Sequence, residues 1–481
     1  MNTDNGSGQL AGPRFDKPNV VVVMCDQLRA FEVGCYGNPV IRTPNIDRLA
    51  AEGVRFTHAV SNNPVCMSAR SCLLSGQYSR TCQGFLGNYS ETDADGNVSL
   101  PEYPEQERRF LLDPSLPEQL KAIGYETTLI GKWHVQPAPP QVGFDYSLYP
   151  RVHHRHSGQT FIENHGEGEV VEGFSVDYEA RAVRDYLDSV AGDGKPFFLY
   201  YSISPPHMPL DDAPEEYLHM YSPDEVPIRD NVRQADGQLP FDENWFKIYL
   251  WDFLYYQEHL EHTEHLPEGF TLRHLIARYY GLTSWVDDQI GKLLQGLSAN
   301  GLAQDTIVLF LSDHGDNLGS HGLFNKGRLI EESIRIPMVW WGPSRLAPQV
   351  RDGEVASIID VMPTILDLAG GHTPATVQGR SLSAALHDEG DGPDHAFIET
   401  TGGEIGLRTP GHLCGLQLDE DRRTIRKRGG CLYDLETDPC EMTNLMATGE
   451  EPDVAAVLGN RLRDWHETTP IRDAPKMGER R

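Results

Sequence analysis

The chain carries little positive charge. Its 481 residues include 41 lysines and arginines against 71 aspartates and glutamates, which gives a formal net charge of −30 at pH 7. Nucleic acids and anionic membranes are bound through basic surfaces, so this balance predicts neither of them as a partner. An anionic small molecule would have to be attracted by a local group of cations, because the charge of the whole chain repels it.

Long apolar runs are also missing. Hydrophobic residues make up 39% of the chain, and no run approaches the roughly 20 apolar residues that a membrane span requires, so we expect a soluble protein. The N-terminus is polar and rich in glycine, without the charged and then apolar segments of a secretion signal. We therefore expect residues 1–17 to be disordered and the protein to be cytoplasmic.

Cysteines are few, but one of the eight begins a short predicted helix. The segment Cys66–Ser75 follows Pro64 and precedes Gly76, an order typical of helix start and stop signals. The first N–H groups and the positive end of the helix dipole converge on Cys66, and Arg70 lies one turn further along the same face. A thiol, a fixed cation and a helix N-terminus together predict a site for an anionic ester.

Carboxylates follow two predicted core strands. Residues 19–24 and 306–311 are continuous apolar runs, the pattern of parallel strands that are buried on both faces. Ligands bind beyond the carboxyl ends of such strands in open α/β sheets. Oxygen ligands favour calcium or magnesium, and an imidazole would also admit manganese or zinc. The side chains that follow the two runs are Asp26, Gln27, Asp313 and His314.

Basic side chains follow two further apolar runs, at residues 125–130 and 195–201, and another lies in a glycine-flanked loop after Asp313. If the chain stays extended beyond residue 130, Lys132 and His134 project to the same side. The basic side chains of these three segments are Lys132, His134, His207 and Lys326.

A separate basic run is unusual in so acidic a chain. It is either a solvated loop or a surface that recognises a further anionic group on the substrate. Its candidate substrate-binding residues are His153, His154, Arg155 and His156.

These segments occur in the order found in the type I sulfatases, a family of the alkaline phosphatase superfamily. Cys66–Arg70 resembles the family signature C-x-P-x-R, with Ser68 where the family usually has proline or alanine. Gly131–His134 resembles the family's G-K-W-H segment, and Leu432–Leu435 resembles its C-terminal L-Y-D-L signature. The resemblance extends over nearly the whole chain.

The resemblance implies an α/β fold with two parts. The larger, N-terminal part would have a mostly parallel central sheet flanked by helices, and the smaller, C-terminal part would be an α+β subdomain with an antiparallel sheet. An acidic, glycine-rich run at residues 387–394 is a suitable boundary between them. We therefore predict a catalytic sulfatase-like domain at residues 18–386 and a C-terminal subdomain at residues 387–481.

The resemblance also implies an activity, the hydrolysis of a sulfate ester to an alcohol and inorganic sulfate. In the family, a formylglycine-generating enzyme oxidises the cysteine that corresponds to Cys66, and the hydrated aldehyde attacks sulfur. One divalent metal ion is implied as well, with calcium preferred to manganese or magnesium. The implied metal ligands are Asp26, Gln27, the residue at position 66, Asp313 and His314.

The other site residues take their roles from the same resemblance. Arg70, Lys132 and Lys326 would stabilise the charged oxygens of the transition state. His207 and Lys326 would assist the departing oxygen, and His134 would accept a proton from the second hydroxyl of the nucleophile. The implied partners are a small anionic sulfate ester and the formylglycine-generating enzyme.

Two alternatives stay open. Gln27 stands where many sulfatases have a second aspartate and His314 where some have asparagine, an arrangement similar to that of phosphonate monoester hydrolases and choline sulfatases. A phosphonate or phosphate ester hydrolase is therefore possible, although those phosphonate hydrolases carry different residues at Lys132–His134. The other alternative is a binder of sulfated ligands without activity, in which Cys66 stays unconverted because of Ser68.

Overall fold

A computed structural model of the protein describes residues 16–84, 86–88, 91–92, 98–99, 108–151, 155–164, 166–232, 243–251 and 266–473. Within these residues a ten-stranded sheet is flanked by helices, and a four-stranded antiparallel sheet lies towards the C-terminus. The predicted α/β fold with a smaller antiparallel sheet is thereby confirmed. None of the helices in the described part is both long and apolar enough to cross a membrane.

The large sheet is parallel at its centre. In space its strands lie in the order β10-β2-β9-β8-β1-β7-β3-β4-β5-β6, and β8, β1, β7, β3 and β4 run parallel to one another. In chain order the strands are β1 Asn19–Asp26, β2 Val54–Val60, β3 Glu126–Gly131, β4 Tyr146–Pro150, β5 Thr160–Glu163, β6 Glu169–Val170, β7 Phe197–Pro206, β8 Thr306–Ser312, β9 Arg335–Trp341 and β10 Gln349–Ser357.

Helices cover both faces of this sheet. The continuous β-branched run of β1 alternates between two apolar cores: Val20 and Val22 pack into one core and Val21 and Val23 into the other. The helices are α1 Pro44–Glu52, α2 Cys66–Ser75, α3 Ser79–Cys82, α4 Leu116–Ala122, α5 Ser175–Val190, α6 Glu215–Leu218, α7 Glu243–Leu250, α8 Leu272–Ala299, α9 Glu331–Ile334, α10 Val361–Leu368, α11 Ser383–Leu386, α12 Leu445–Thr448 and α13 Pro452–Thr468.

The smaller sheet lies between the large sheet and the C-terminal helix. Its strands pair in sequence order, each antiparallel to the next. Apolar side chains from this sheet and from α13 join the same core as α2. The four strands are β11 Ala396–Glu399, β12 Glu404–Arg408, β13 His412–Gln417 and β14 Cys431–Asp434.

A group of buried ion pairs connects the two sheets. Arg408 at the end of β12 donates to Glu331 of α9 over 2.8 Å, and Glu441 accepts the Glu331 backbone N–H over 3.0 Å. Arg229 lies 2.6 Å from Glu332 in the same group. We call these side chains, together with Arg335, the junction cluster, whose members are Arg229, Glu331, Glu332, Arg335, Arg408 and Glu441.

Candidate active site

Two carboxylates lie side by side at the carboxyl edge of the large sheet. Asp26 is the last residue of β1, and Asp313 follows the last residue of β8. The two strands are parallel neighbours, with Cys25 paired to Ser312, so their ends meet. The backbone N–H of Gln27 donates to Asp313 Oδ1 over 3.0 Å, which fixes the second carboxylate against the first strand.

Cys66 lies directly against these strand ends. It is the first residue of α2, a helix that ends at Gly76, whose φ of 63° is the left-handed conformation that favours glycine. Its Sγ is 3.4 Å from Asp26 Oδ1, 3.1 Å from His314 Nε2 and 2.9 Å from Lys326 Nζ. The predicted helix start therefore places the thiol among a carboxylate, an imidazole and an ammonium group.

His314 presents a defined nitrogen to the thiol. Its Nδ1 lies 2.8 Å from the Gly315 carbonyl oxygen, which can only accept, so Nδ1 carries the proton. The lone pair of Nε2 then faces Cys66. Burial lowers the pKa of His314, which favours this neutral form of the ring.

Fixed cations contact the Oδ2 oxygens of the two carboxylates. Arg70 Nη2 is 3.1 Å from Asp26 Oδ2 and 3.0 Å from Asp313 Oδ2, and Lys132 Nζ is 2.7 Å from Asp26 Oδ2. Arg70 Nη1 donates to Ser202 Oγ over 2.6 Å. We call Cys66 and the buried or half-buried side chains around it the nucleophile cluster, whose members are Asp26, Cys66, Arg70, Lys132, Asp313, His314 and Lys326.

The two carboxylates differ in their acidity. Burial opposes the charge of both, but Lys132 and the other cations around Asp26 hold its pKa well below the usual range. Burial and the charge of Asp26 raise the pKa of Asp313 to about 6. Burial would lower the pKa of Lys326, yet Cys66 and Asp26 raise it, so this side chain stays positively charged.

The donor atoms fit a divalent cation. One ligand atom each from Asp26, Cys66, Asp313 and His314 lies within 4.8 Å of all the others, and all four residues are buried. Arg70 and Lys132 contact the Oδ2 side of the carboxylates, whereas the Oδ1 side faces the thiol and the imidazole. Gln27 adds an amide oxygen 2.8 Å from Lys326 Nζ. Two carboxylates, an amide oxygen and one imidazole are a suitable donor set.

The segment that carries Lys132 and His134 is not extended. Gly131 has φ 98° and His134 has φ 47°, so the chain turns directly after β3. The condition of an extended chain beyond residue 130 is therefore not met, although Lys132 and His134 are both buried. Close packing explains the turn, because a Cβ on Gly131 would lie 2.0 Å from the Ser202 carbonyl oxygen.

His207 is buried at the end of β7, and its Nδ1 lies 2.7 Å from the Met208 carbonyl oxygen. It is among the groups whose positive charge lowers the pKa of Asp26, which indicates that its ring lies near the nucleophile cluster. The catalytic roles of His134 and His207 stay predictions.

The four residues of the basic run do not share one environment. His153 and His154 lie outside the described residues, and Arg155 is exposed. His156 is buried against Trp285, with its backbone N–H donating to Asp212 Oδ2 over 2.7 Å. Burial lowers the pKa of His156 to about 4, so the ring is neutral at pH 7. A substrate-binding role for these four residues stays a prediction.

Ser68, which departs from the usual family signature, has a packing role. Its buried Oγ donates to the Gly87 carbonyl oxygen over 3.0 Å and accepts from the Gly87 N–H over 2.8 Å and from Gln83 Nε2 over 2.7 Å. This hydroxyl ties α2 to the segment that follows α3. Proline or alanine at position 68 would remove these three hydrogen bonds.

The sequence analysis missed several polar residues that hold the site in place. Ser202 lies within β7, where an isolated serine gives no signal. Asp316 comes three residues after Asp313, and its acidic character could have suggested a supporting role. The missed residues are Ser202, Tyr249, Asp316 and Asn325.

This fold is that of a known enzyme family. The family description "Sulfatase" matches residues 18–371, so the chain belongs to the sulfatase family. The arylsulfatase of Clostridium perfringens (strain 13 / Type A) is 28% identical over an alignment that covers 90% of this chain and 91% of that protein.

Solved structures agree with the family assignment. The crystal structure of the putative sulfatase yidJ from Bacteroides fragilis has a TM-score of 0.77 and 26% identity, covering 96% of this chain and 98% of the other. The structure of BT4656 in complex with its substrate D-glucosamine-2-N,6-O-disulfate has a TM-score of 0.70 and covers 96% and 100%. Its identity is 22%, so it is similar in fold alone.

Proposed function

We propose that the protein hydrolyses sulfate esters with a formylglycine formed from Cys66 and with one divalent metal ion. This proposal rests on the surroundings of the Cys66 side chain. Its Sγ lies within 3.4 Å of Asp26, His314 and Lys326. A buried side chain among these groups, at a helix N-terminus, is well placed to act as the nucleophile towards an anionic ester.

The cations of the nucleophile cluster have a direct use in this reaction. Arg70, Lys132 and Lys326 are fixed before the substrate arrives, so they stabilise charge on the sulfate oxygens without reorganising. Formylglycine supplies a hydroxyl nucleophile in its hydrated form. His207 and Lys326 would assist the departing oxygen, and His134 would then accept the proton of the second hydroxyl, so that sulfate is released and the aldehyde is restored.

The metal ion would be held by Asp26, Gln27, Asp313 and His314 together with residue 66. When bound, it acts as a Lewis acid towards an oxygen at the reacting centre. Calcium is our preferred ion because most of the donors are hard oxygens, and manganese or magnesium are the alternatives. Elemental analysis of the purified protein distinguishes the three.

For the substrate class we favour a sulfated sugar. BT4656, which has the same fold, is bound to a sulfated glucosamine. The net charge of −30 also disfavours large polyanionic partners, whereas a small sulfate ester needs only the local cations. Conversion of Cys66 further requires a formylglycine-generating enzyme as a partner during biosynthesis. The cytoplasmic location stays a prediction, which cell fractionation tests.

One experiment tests the core of the proposal. Peptide mass spectrometry should detect the aldehyde at residue 66 in at least part of the protein, and 4-nitrophenyl sulfate should be hydrolysed in proportion to that fraction. Cys66→Ala should have no activity. Full activity in a preparation whose residue 66 is entirely thiol would contradict the formylglycine mechanism.

A substrate panel separates the alternatives. Sulfate esters of sugars and phenols are compared with phenyl phosphonate and phosphate esters at equal concentrations. Faster turnover of phosphonates than of every sulfate ester would favour the phosphonate hydrolase. Tight binding of sulfated sugars without turnover, with residue 66 unconverted, would favour the binding protein.

A further inference from the structure

The side-chain amide of Gln27 has two different ends. Its oxygen is able to coordinate a cation, whereas its NH₂ group only donates hydrogen bonds and would repel one. Gln27 is fully buried directly after β1, and its Oε1 lies 2.8 Å from Lys326 Nζ. The direction in which this amide points therefore decides whether Gln27 is able to be a metal ligand.

Asp316 contacts the NH₂ end of this amide. Gln27 Nε2 donates to Asp316 Oδ2, while Asp316 Oδ1 accepts from Tyr249 Oη over 2.6 Å and from the Leu318 backbone N–H over 2.9 Å. The carboxylate is 1% exposed, so water does not compete for these bonds. All three partners donate, and Asp316 serves as the acceptor for each of them.

The direction of the bond from Tyr249 is also fixed. The backbone N–H of Asn325 donates to Tyr249 Oη over 2.6 Å, so the tyrosine oxygen is already an acceptor there. Its own proton is then directed to Asp316. A chain of directed hydrogen bonds thus runs from the backbone beside Lys326, through Tyr249 and Asp316, to the amide of Gln27.

Gln27 is consequently held between two neighbours of opposite character. Lys326 Nζ only donates, and it faces the amide oxygen; the Asp316 carboxylate only accepts, and it faces the NH₂ group. Turning the amide over would place oxygen against carboxylate and NH₂ against ammonium. Both contacts would then be repulsive, so one orientation is selected.

We propose that Asp316 is a positioning residue that turns the amide oxygen of Gln27 towards the metal ion. This inference rests on the proposed metal site and deepens it. It also accounts for glutamine at this position, because a carboxylate at residue 27 would lie against the carboxylate of Asp316.

The test is calcium titration of the full-length, chelator-treated protein by calorimetry. Asp316→Asn replaces a pure acceptor by an amide that also donates, so the orientation of Gln27 is no longer selected from that side. The Kd for calcium should rise about 10- to 100-fold, the usual cost of removing a group that orients a metal ligand. Manganese and magnesium are titrated in the same way.

Asp287→Asn is the matched control. Asp287 of α8 is also a buried carboxylate that accepts backbone N–H groups, but its donors are Asn45 and Ile46 at the start of α1. This variant should lower the thermal stability and leave the Kd for calcium unchanged. Equal losses of calcium affinity in the two variants would overturn the positioning role, because general destabilisation would then explain both.

A second and more specific test combines substitutions at residues 27 and 316. Gln27→Glu should weaken calcium binding, because it brings two carboxylates into contact. Adding Asp316→Asn should recover part of that loss, since the carboxylate at residue 27 regains a donor. A double variant that binds calcium no better than Gln27→Glu alone would overturn the proposal.

Two further measurements distinguish a loss of the positioning role from a failure to fold and from the absence of a metal site. If Asp316→Asn does not fold by circular dichroism, Tyr249→Phe is used, which removes one donor to Asp316 and should raise the Kd in the same direction. A parent protein that binds none of calcium, manganese and magnesium would contradict the proposed function. A parent that binds the ion while a folded Asp316→Asn binds it within about threefold would contradict the positioning role alone.

Discussion

The nucleophile cluster and the junction cluster are both buried groups of charged side chains, but their charges are balanced differently. In the nucleophile cluster three cations, Arg70, Lys132 and Lys326, accompany two carboxylates, Asp26 and Asp313. In the junction cluster three arginines accompany three glutamates, and the members are Arg229, Arg335, Arg408, Glu331, Glu332 and Glu441.

This difference in charge indicates that the nucleophile cluster is a binding site and that the junction cluster is a structural connection. A buried surplus of positive charge is costly unless something negative arrives, so the nucleophile cluster is suited to an anionic group such as a sulfate. In the junction cluster each arginine instead pairs directly with Glu331 or Glu332, and these pairs connect the small sheet to the loop region beside the active site.

A histidine lies with carboxylates at both places. One ligand atom each from Glu332 and Glu441 of the junction cluster and from the neighbouring His321 lie within 4.8 Å of one another, as do the ligand atoms around Cys66. Burial and the neighbouring glutamates raise the pKa of Glu441 well above the usual range, whereas the pKa of Asp26 is held well below it. Because metal ligands must be deprotonated, we expect an ion in the nucleophile cluster alone.

The largest expected effect comes from breaking the junction. Arg408→Ala leaves the carboxylate of Glu331 buried without its main partner, which should lower the free energy of unfolding by about 3–5 kcal/mol. Denaturant unfolding measures this change. The exposed pair of Arg48 and Glu52 is the control, since Arg48→Ala should cost less than about 1 kcal/mol. Equal losses in the two variants would contradict the structural role of the junction cluster.

The next effect is on catalysis. Lys326→Ala should lower kcat about 100- to 1,000-fold, or about 2.7–4 kcal/mol, because its ammonium group stabilises charge that develops in the transition state. Steady-state kinetics on 4-nitrophenyl sulfate, with the conversion of residue 66 checked, measures this. The exposed Lys121, which pairs with Asp145, provides the control variant Lys121→Ala. A kcat within about threefold of the parent would place Lys326 outside the catalytic machinery.

A third effect is the response of stability to acid. Burial opposes the charge of Glu331, but Arg408 lowers its pKa from the ordinary 4.5 to about 2. A pKa that is lower in the folded state contributes stability above about pH 4.5, and this contribution is lost as the pH falls through about 2. The difference in unfolding free energy between the parent and Glu331→Gln should therefore shrink over this range. A difference that is constant with pH would contradict the prediction.

The smallest expected effect is that of Glu441→Gln, which should leave both the metal content and kcat unchanged. Asp313→Ala is the contrasting control and should lose the ion and the activity, as should treatment with a chelator. Elemental analysis gives the number of ions per chain. Two ions in the parent and one in Glu441→Gln would place a second metal in the junction cluster, and the contrast between the clusters would fail.

Much of the core could be predicted from local sequence. The β-branched run at the start of the chain gives β1, the similar run before Asp313 gives β8, and parallel pairing brings Asp26 and Asp313 together. The helix at Cys66 was predicted by its flanking proline and glycine. These signals are local, and the family motifs connect them.

The remaining parts of the site depend on contacts between distant segments. Ser202 meets Arg70 from a strand that is otherwise apolar, and Tyr249 meets Asp316 from a separate helix. Nothing near either residue in sequence specifies such a partner, because packing of the whole sheet decides which side chains meet. The turn at Gly131 has the same origin, since the Ser202 carbonyl oxygen leaves no room for a Cβ at that position.

The burial of helix α2 has a consequence for biosynthesis. All ten of its residues are buried, including Cys66, so a modifying enzyme has no access to the thiol in the finished fold. The proposed conversion must then precede the closing of the fold, and folding competes with maturation in time. A molecule that folds first is well formed yet inactive until it unfolds again. The specific activity of a preparation would thus depend on the conditions of synthesis as well as on the catalytic rate of the converted protein.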